Sequence, residues 1–97
     1  FMARQPGIDL GAARYLAELG VVAVGSDTAA LEVQPSSVSN HPYPVHGLFL
    51  ANYGVYILEN IVTRELAADK AYEFMFVLGQ PRLKGSVQAI INPVAIR

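Results

Sequence analysis

The stretch Leu10-Gly11-Ala12-Ala13-Arg14-Tyr15-Leu16-Ala17-Glu18-Leu19-Gly20-Val21-Val22-Ala23-Val24-Gly25 decides the fold. Leu10, Ala13, Leu16 and Ala17 recur at helical spacing, and Arg14 and Glu18 fall off that stripe, so the first half is an amphipathic helix. Asp9 stands where an N-cap is wanted, directly after the Pro6-Gly7 turn signal, and Gly20 suits the left-handed position that ends a helix. Val21-Val22-Ala23-Val24 is short, wholly apolar and rich in β-branched residues, and Gly25 closes it. It reads as a buried strand, parallel to its neighbour. Helix, glycine turn and buried strand make half of an α/β unit.

Outward from this unit, residues 26–44 form a long irregular connection. Pro35-Ser36-Ser37-Val38-Ser39-Asn40 is loop chemistry, and Pro42 and Pro44 forbid an ordinary helix there. A loop of this length inside a compact domain is more often functional than idle. Val45 to Asn52 reads as a short helix with Pro44 at its first turn, broken by Gly54. Val55-Tyr56-Ile57-Leu58 is a second buried strand, Thr63 to Lys70 a helical turn with Leu66 facing inward, and Tyr72 to Leu78 a third strand. Arg82–Lys84 and Val94–Ile96 are shorter strand candidates, and the tyrosines and phenylalanines are expected in the core.

Composition bounds the function. The 97 residues suffice for one small domain, 53% hydrophobic and 15% charged, against roughly 45–50% and 25% in ordinary domains. So small a body has little interior, and this apolar share predicts that a partner covers part of its surface. The net charge of −1, without a basic run, speaks against a nucleic-acid partner. The absence of cysteine removes a disulfide framework, a thiolate zinc site and a cysteine nucleophile. No stretch reaches the roughly 18 apolar residues of a membrane span. Residues 1–7 lack the order of a signal peptide, and a cytoplasmic setting is expected.

Polar residues cluster where strands end, the usual ligand position in open α/β sheets. Asp27 follows the first strand, and Glu59-Asn60 follow the second. Helix capping or loop solvation is the plain alternative for each. His41 and His46 flank Pro42-Tyr43-Pro44, and one imidazole with one carboxylate supplies part, but not all, of a zinc or manganese site. For His46 alone a structural role is the ordinary expectation. There is no nucleophile elbow, phosphate loop or dinucleotide fingerprint.

Pro6-Gly7-Ile8-Asp9, Ala12-Ala13-Arg14-Tyr15-Leu16-Ala17 and Val22-Ala23-Val24-Gly25-Ser26-Asp27-Thr28 resemble the cyclase-like metal-dependent hydrolases, the superfamily of kynurenine formamidase. The resemblance continues in order through Pro44-Val45-His46, Gly54-Val55-Tyr56-Ile57-Leu58-Glu59-Asn60, Glu73 to Leu78 and Asn92 to Ile96. It implies an α/β fold of the swivelling β/β/α type, a mixed sheet with short helices. It also implies hydrolysis of amide, ester or lactone bonds in a small-molecule substrate by a metal-activated water. His46 and Glu59 match the family's metal ligands in its C-terminal half. Asp27 matches a family acidic position and, with Asn60, is expected to be structural or supporting; Glu32 stands where many members have Asp, and Tyr43 and His41 would shape the substrate pocket. Gly85-Ser86-Val87-Gln88 departs from the family's usual turn.

The family's main metal motif, His-x-Gly-Thr-His-x-Asp followed by Pro and another His, does not occur in this sequence. With a start at Phe1, residues 1–97 read as the C-terminal part of a hydrolase domain. The divalent metal, zinc or manganese, would be shared with an N-terminal half or a companion chain. A homo-oligomer is expected. The alternatives are a non-catalytic remnant that binds or assembles, and a plain α+β structural domain in which the His and Glu are coincidental.

Overall fold

The computed structural model describes residues 4–97. The chain is of mixed α/β class, with short helices and two small sheets, and it forms two compact units, Phe1–Thr63 and Arg64–Arg97.

In the first unit, helix α1 spans Leu10–Glu18. Asp9 caps it as expected, its carboxylate accepting the Ala12 N–H at 2.9 Å. Ala13 and Ala17 are the buried face of the helix. Strand β1 is Ala23–Gly25 and pairs in parallel with β2, Tyr56–Leu58, in the register Ala23 to Tyr56 and Gly25 to Leu58. The expected parallel pairing is present, but the strands are shorter than read and less buried. Val21 and Val22 lie outside β1, and Val22 is 74% exposed. Val24 and Ile57 pack partly against the core and Leu58 is buried, whereas Ala23 and Tyr56 are exposed, so an all-apolar run is not by itself a strand buried on both faces.

Between these strands, helix α2 begins at Pro44–His46 and runs on as a π-helical segment, Gly47–Tyr53. Pro44 opens it and Gly54 closes it, in agreement with the sequence reading. Gly54 takes φ +67°, a left-handed backbone that residues with a Cβ adopt at a cost. Val45, Leu48 and Phe49 of this helix meet Ala13, Ala17, Leu31 and Val55 in the core, with Phe49 fully buried.

In the second unit, helix α3 is Arg64–Ala68, and β3, Met75–Val77, pairs antiparallel with β4, Val94–Ile96. Leu66 is half-buried, and Arg82–Lys84 is not a strand. None of the described residues 64–97 is buried. Tyr72, Phe74 and Phe76 of the expected third strand are all exposed. The expectation of aromatic residues in the core is also corrected: among the described ones only Phe49 is buried, and the five tyrosines are exposed. Two strands of three residues have too little surface to enclose side chains of this size.

Candidate functional site

The connection from β1 to α2 is held in place before any side chain reaches the site. Gln5 and Gln34 exchange both backbone hydrogen bonds, at 3.0 and 3.1 Å. Ile8 N–H donates to Leu31 O and Val33 N–H to Ile8 O, each at 3.2 Å. The segment 29–34 is thereby laid against residues 5–8, which turns the Glu32 side chain towards the start of α2.

Glu32 is the one buried charged residue among those described, 1% exposed. A carboxylate so placed needs full pairing, and it has it. Its Oε2 accepts the Val45 N–H at 3.1 Å, and its Oε1 accepts the His46 N–H at 3.0 Å. These N–H groups belong to the first turn of α2, which lacks intrahelical partners for them. Tyr43, at the N-cap position, makes no side-chain cap bond, so Glu32 caps the helix from a distant point in the chain. The same Oε1 lies 2.5 Å from His46 Nδ1.

The other face of the imidazole meets Glu59. His46 Nε2 lies 3.3 Å from Glu59 Oε1. That oxygen also accepts the Leu31 N–H at 3.2 Å. Glu59 follows β2 directly, and Ser26 N–H and Ile61 N–H tie the ends of β1 and β2 together through Leu58 O and Ser26 O at 2.9 Å each. The site is therefore a row: Glu32, the His46 ring, then Glu59, with both outer carboxylates anchored by backbone N–H groups. The Tyr43 ring stands edge-on to His46, with centroids 5.4 Å apart and planes at 69°.

Of the residues singled out in the sequence, His46, Glu59 and Tyr43 are brought together here. His41 is exposed on the approach to α2, its N–H bonded to Val38 O at 3.3 Å. Asp27 is exposed beyond β1. Asn60 takes φ +55° in the turn after β2, its N–H donating to Thr28 O at 3.0 Å, which gives it a structural part. Glu32 carries no assigned role in the sequence reading beyond its place in the resemblance. The available signal is a lone carboxylate in Ala29-Ala30-Leu31-Glu32-Val33, an otherwise apolar run.

Among the described residues, no group of three or more His, Cys, Asp or Glu side chains is placed to hold a metal ion. The row explains this. Nδ1 and Nε2 point in opposite directions, so Glu32 faces the far side of the ring from Glu59. His46 Nε2 and Glu59 Oε1, 3.3 Å apart, are two groups of the kinds that ligate divalent ions.

Comparisons with protein families, with curated proteins and with solved structures find no match for this chain.

Proposed function

We propose that this chain is the C-terminal portion of a cyclase-type metal-dependent hydrolase of swivelling β/β/α fold, contributing two ligands to a zinc or manganese site. The observation that carries this reading is the row Glu32–His46–Glu59. A ligating imidazole needs its second nitrogen held by an acceptor, which fixes tautomer and ring orientation. Glu32 is such an acceptor on Nδ1, and Nε2 is left to face Glu59. A divalent ion at this point would supply Lewis-acid polarisation of an amide, ester or lactone carbonyl and a more acidic water. His46 would bind as neutral imidazole through Nε2, Glu59 as carboxylate, and Tyr43 would wall the ring on its open side. The remaining ligands would come from an N-terminal half or a companion chain, within a cytoplasmic homo-oligomer.

A second reading is a non-catalytic assembly subunit of the same fold. It is favoured by residues 64–97, where no described side chain is buried although Tyr72, Val87 and Ile90 are large, apolar and 85–100% exposed.

Intact-mass and metal analysis of the purified protein separates the two. The hydrolase reading expects a companion polypeptide and about one divalent ion, lost in His46→Ala and in Glu59→Ala, together with turnover of a simple amide, ester or lactone. A lone 10.5 kDa species that takes up neither Zn2+ nor Mn2+ overturns it.

A further inference from the structure

Two consecutive residues hold the two candidate ligands. The Leu31 N–H fixes Glu59, and the Glu32 carboxylate fixes His46. The separation of Nε2 from Oε1 thus depends on one short piece of backbone, and something must hold that piece still. The strap Gln5–Ile8 lies along it. Besides the backbone bonds of Gln5 and Ile8, Gln5 Oε1 accepts the Ala29 and Ala30 N–H groups at 3.1 and 3.3 Å.

At the centre of the strap, Gly7 sits directly on the Leu31–Val33 main chain. A Cβ built on Gly7 would overlap the carbonyl carbon of Glu32, with Val33 N and Leu31 O as its next neighbours. All three are backbone atoms, so no side chain can swing aside to make room. Gly7 is therefore required for the strap to approach this closely.

We propose that Gly7 is a positioning residue for the metal site, setting the spacing of His46 and Glu59 through residues 31–32. This rests on the metal-site reading above. An added methyl group pushes the strap and residues 31–33 apart. Leu31 N–H then moves relative to Glu59, and Glu32 relative to Nδ1, without either ligand being altered.

The test compares Gly7→Ala with Gly79→Ala in the protein as purified, with its companion where one is present. A Cβ at Gly79 meets nothing within 4 Å. The first readout is the imidazole 15N spectrum of His46, which reports the hydrogen bond at Nδ1 without any metal. The second is Zn2+ titration, and far-UV circular dichroism reports folding. The expected result for Gly7→Ala is a folded protein with an altered His46 15N pattern and at least tenfold weaker Zn2+ binding, while Gly79→Ala matches the wild type. A folded Gly7→Ala protein with unchanged 15N shifts overturns the proposal. If Gly7→Ala does not fold, Gln5→Ala, which removes the acceptor for Ala29 and Ala30, is read by the same criteria. A wild type that binds no Zn2+ sinks the metal reading alone, because the 15N comparison still decides whether the strap positions His46.

Discussion

Glu32→Gln is the sharpest perturbation of the row, because it keeps the shape and removes one acceptor. The carboxylate serves three donors with two oxygens: Val45 N–H on Oε2, and His46 N–H and the Nδ1 side of the ring on Oε1. A glutamine has one oxygen. If that oxygen stays on His46, the amide NH2 faces the Val45 N–H, two donors meeting at a buried residue. If the amide flips, Val45 is satisfied and the NH2 faces both the His46 N–H and Nδ1. Nδ1 must then accept, and the ring proton moves to Nε2. Either arrangement leaves a donor unpaired against a side chain that is itself buried, at a cost of about 1–3 kcal/mol. For a domain of this size that is a loss of roughly 10 °C in Tm. The assay is thermal unfolding by circular dichroism, with 15N shifts of His46 to show which nitrogen carries the proton. A Tm within about 2 °C of wild type, well below the shift expected for a domain this small, with an unchanged His46 spectrum, would refute the assignment of Glu32 as cap and acceptor.

Other outcomes follow from single contacts. Phe49→Ala empties the centre of the first unit, where Phe49 is fully buried, and should cost about 3–5 kcal/mol in denaturant unfolding. Asp9→Ala removes the cap on α1 and should cost about 1 kcal/mol, while Asp9→Asn costs less because its side-chain oxygen still reaches the Ala12 N–H. Gly54→Ala forces a Cβ into a left-handed turn and should lower stability by about 1 kcal/mol, read as a shift in the urea midpoint. Glu59→Gln should weaken Zn2+ uptake more than it lowers Tm, since Glu59 is only partly buried; the reverse order would make Glu59 a structural residue.

The legible parts of this fold are those with local causes. Asp9, the leucine and alanine stripe and Gly20 announce α1 within a few residues of one another. Pro44 and Gly54 bracket the second helix for the same reason. The parallel pairing of β1 and β2 is read from the apolar, β-branched character of Val21–Val24, and the pairing is present although the strands are less buried than that character implies. Glu32 was not legible as a site residue, because its partners Val45 and His46 lie 13 and 14 residues further on. No periodicity links a loop carboxylate to the first turn of a later helix. The pairing of His46 with Glu59 came from the ordered resemblance, since one sits on a helix and the other just past a strand. Tyr72, Phe74 and Phe76 lie at every second position of the third strand and are among the aromatics expected in the core, and the described structure exposes them. A period of two shows that a strand has two sides, but it does not show what covers either of them.

The strand-end rule pointed equally to Asp27 and Glu59, and the structure separates them for a physical reason. Both carboxylates leave a strand at its carboxyl end, one from each partner of the parallel pair. Beyond β2, the Leu31 N–H waits as a donor and the His46 ring stands behind it, so Glu59 is drawn inward and fixed. Beyond β1, the hydroxyls of Ser26 and Thr28 bond to each other at 3.0 Å and Thr28 closes on Ala30 O at 2.7 Å. The N–H groups of Ala29 and Ala30 that follow are taken by Gln5 Oε1, and Asp27 is exposed. A carboxylate at a strand end becomes a candidate ligand when a neighbouring segment offers an unpaired donor to hold it. Here the segment is 31–32, so the feature that distinguishes the two acids is the path of the long β1 to α2 connection.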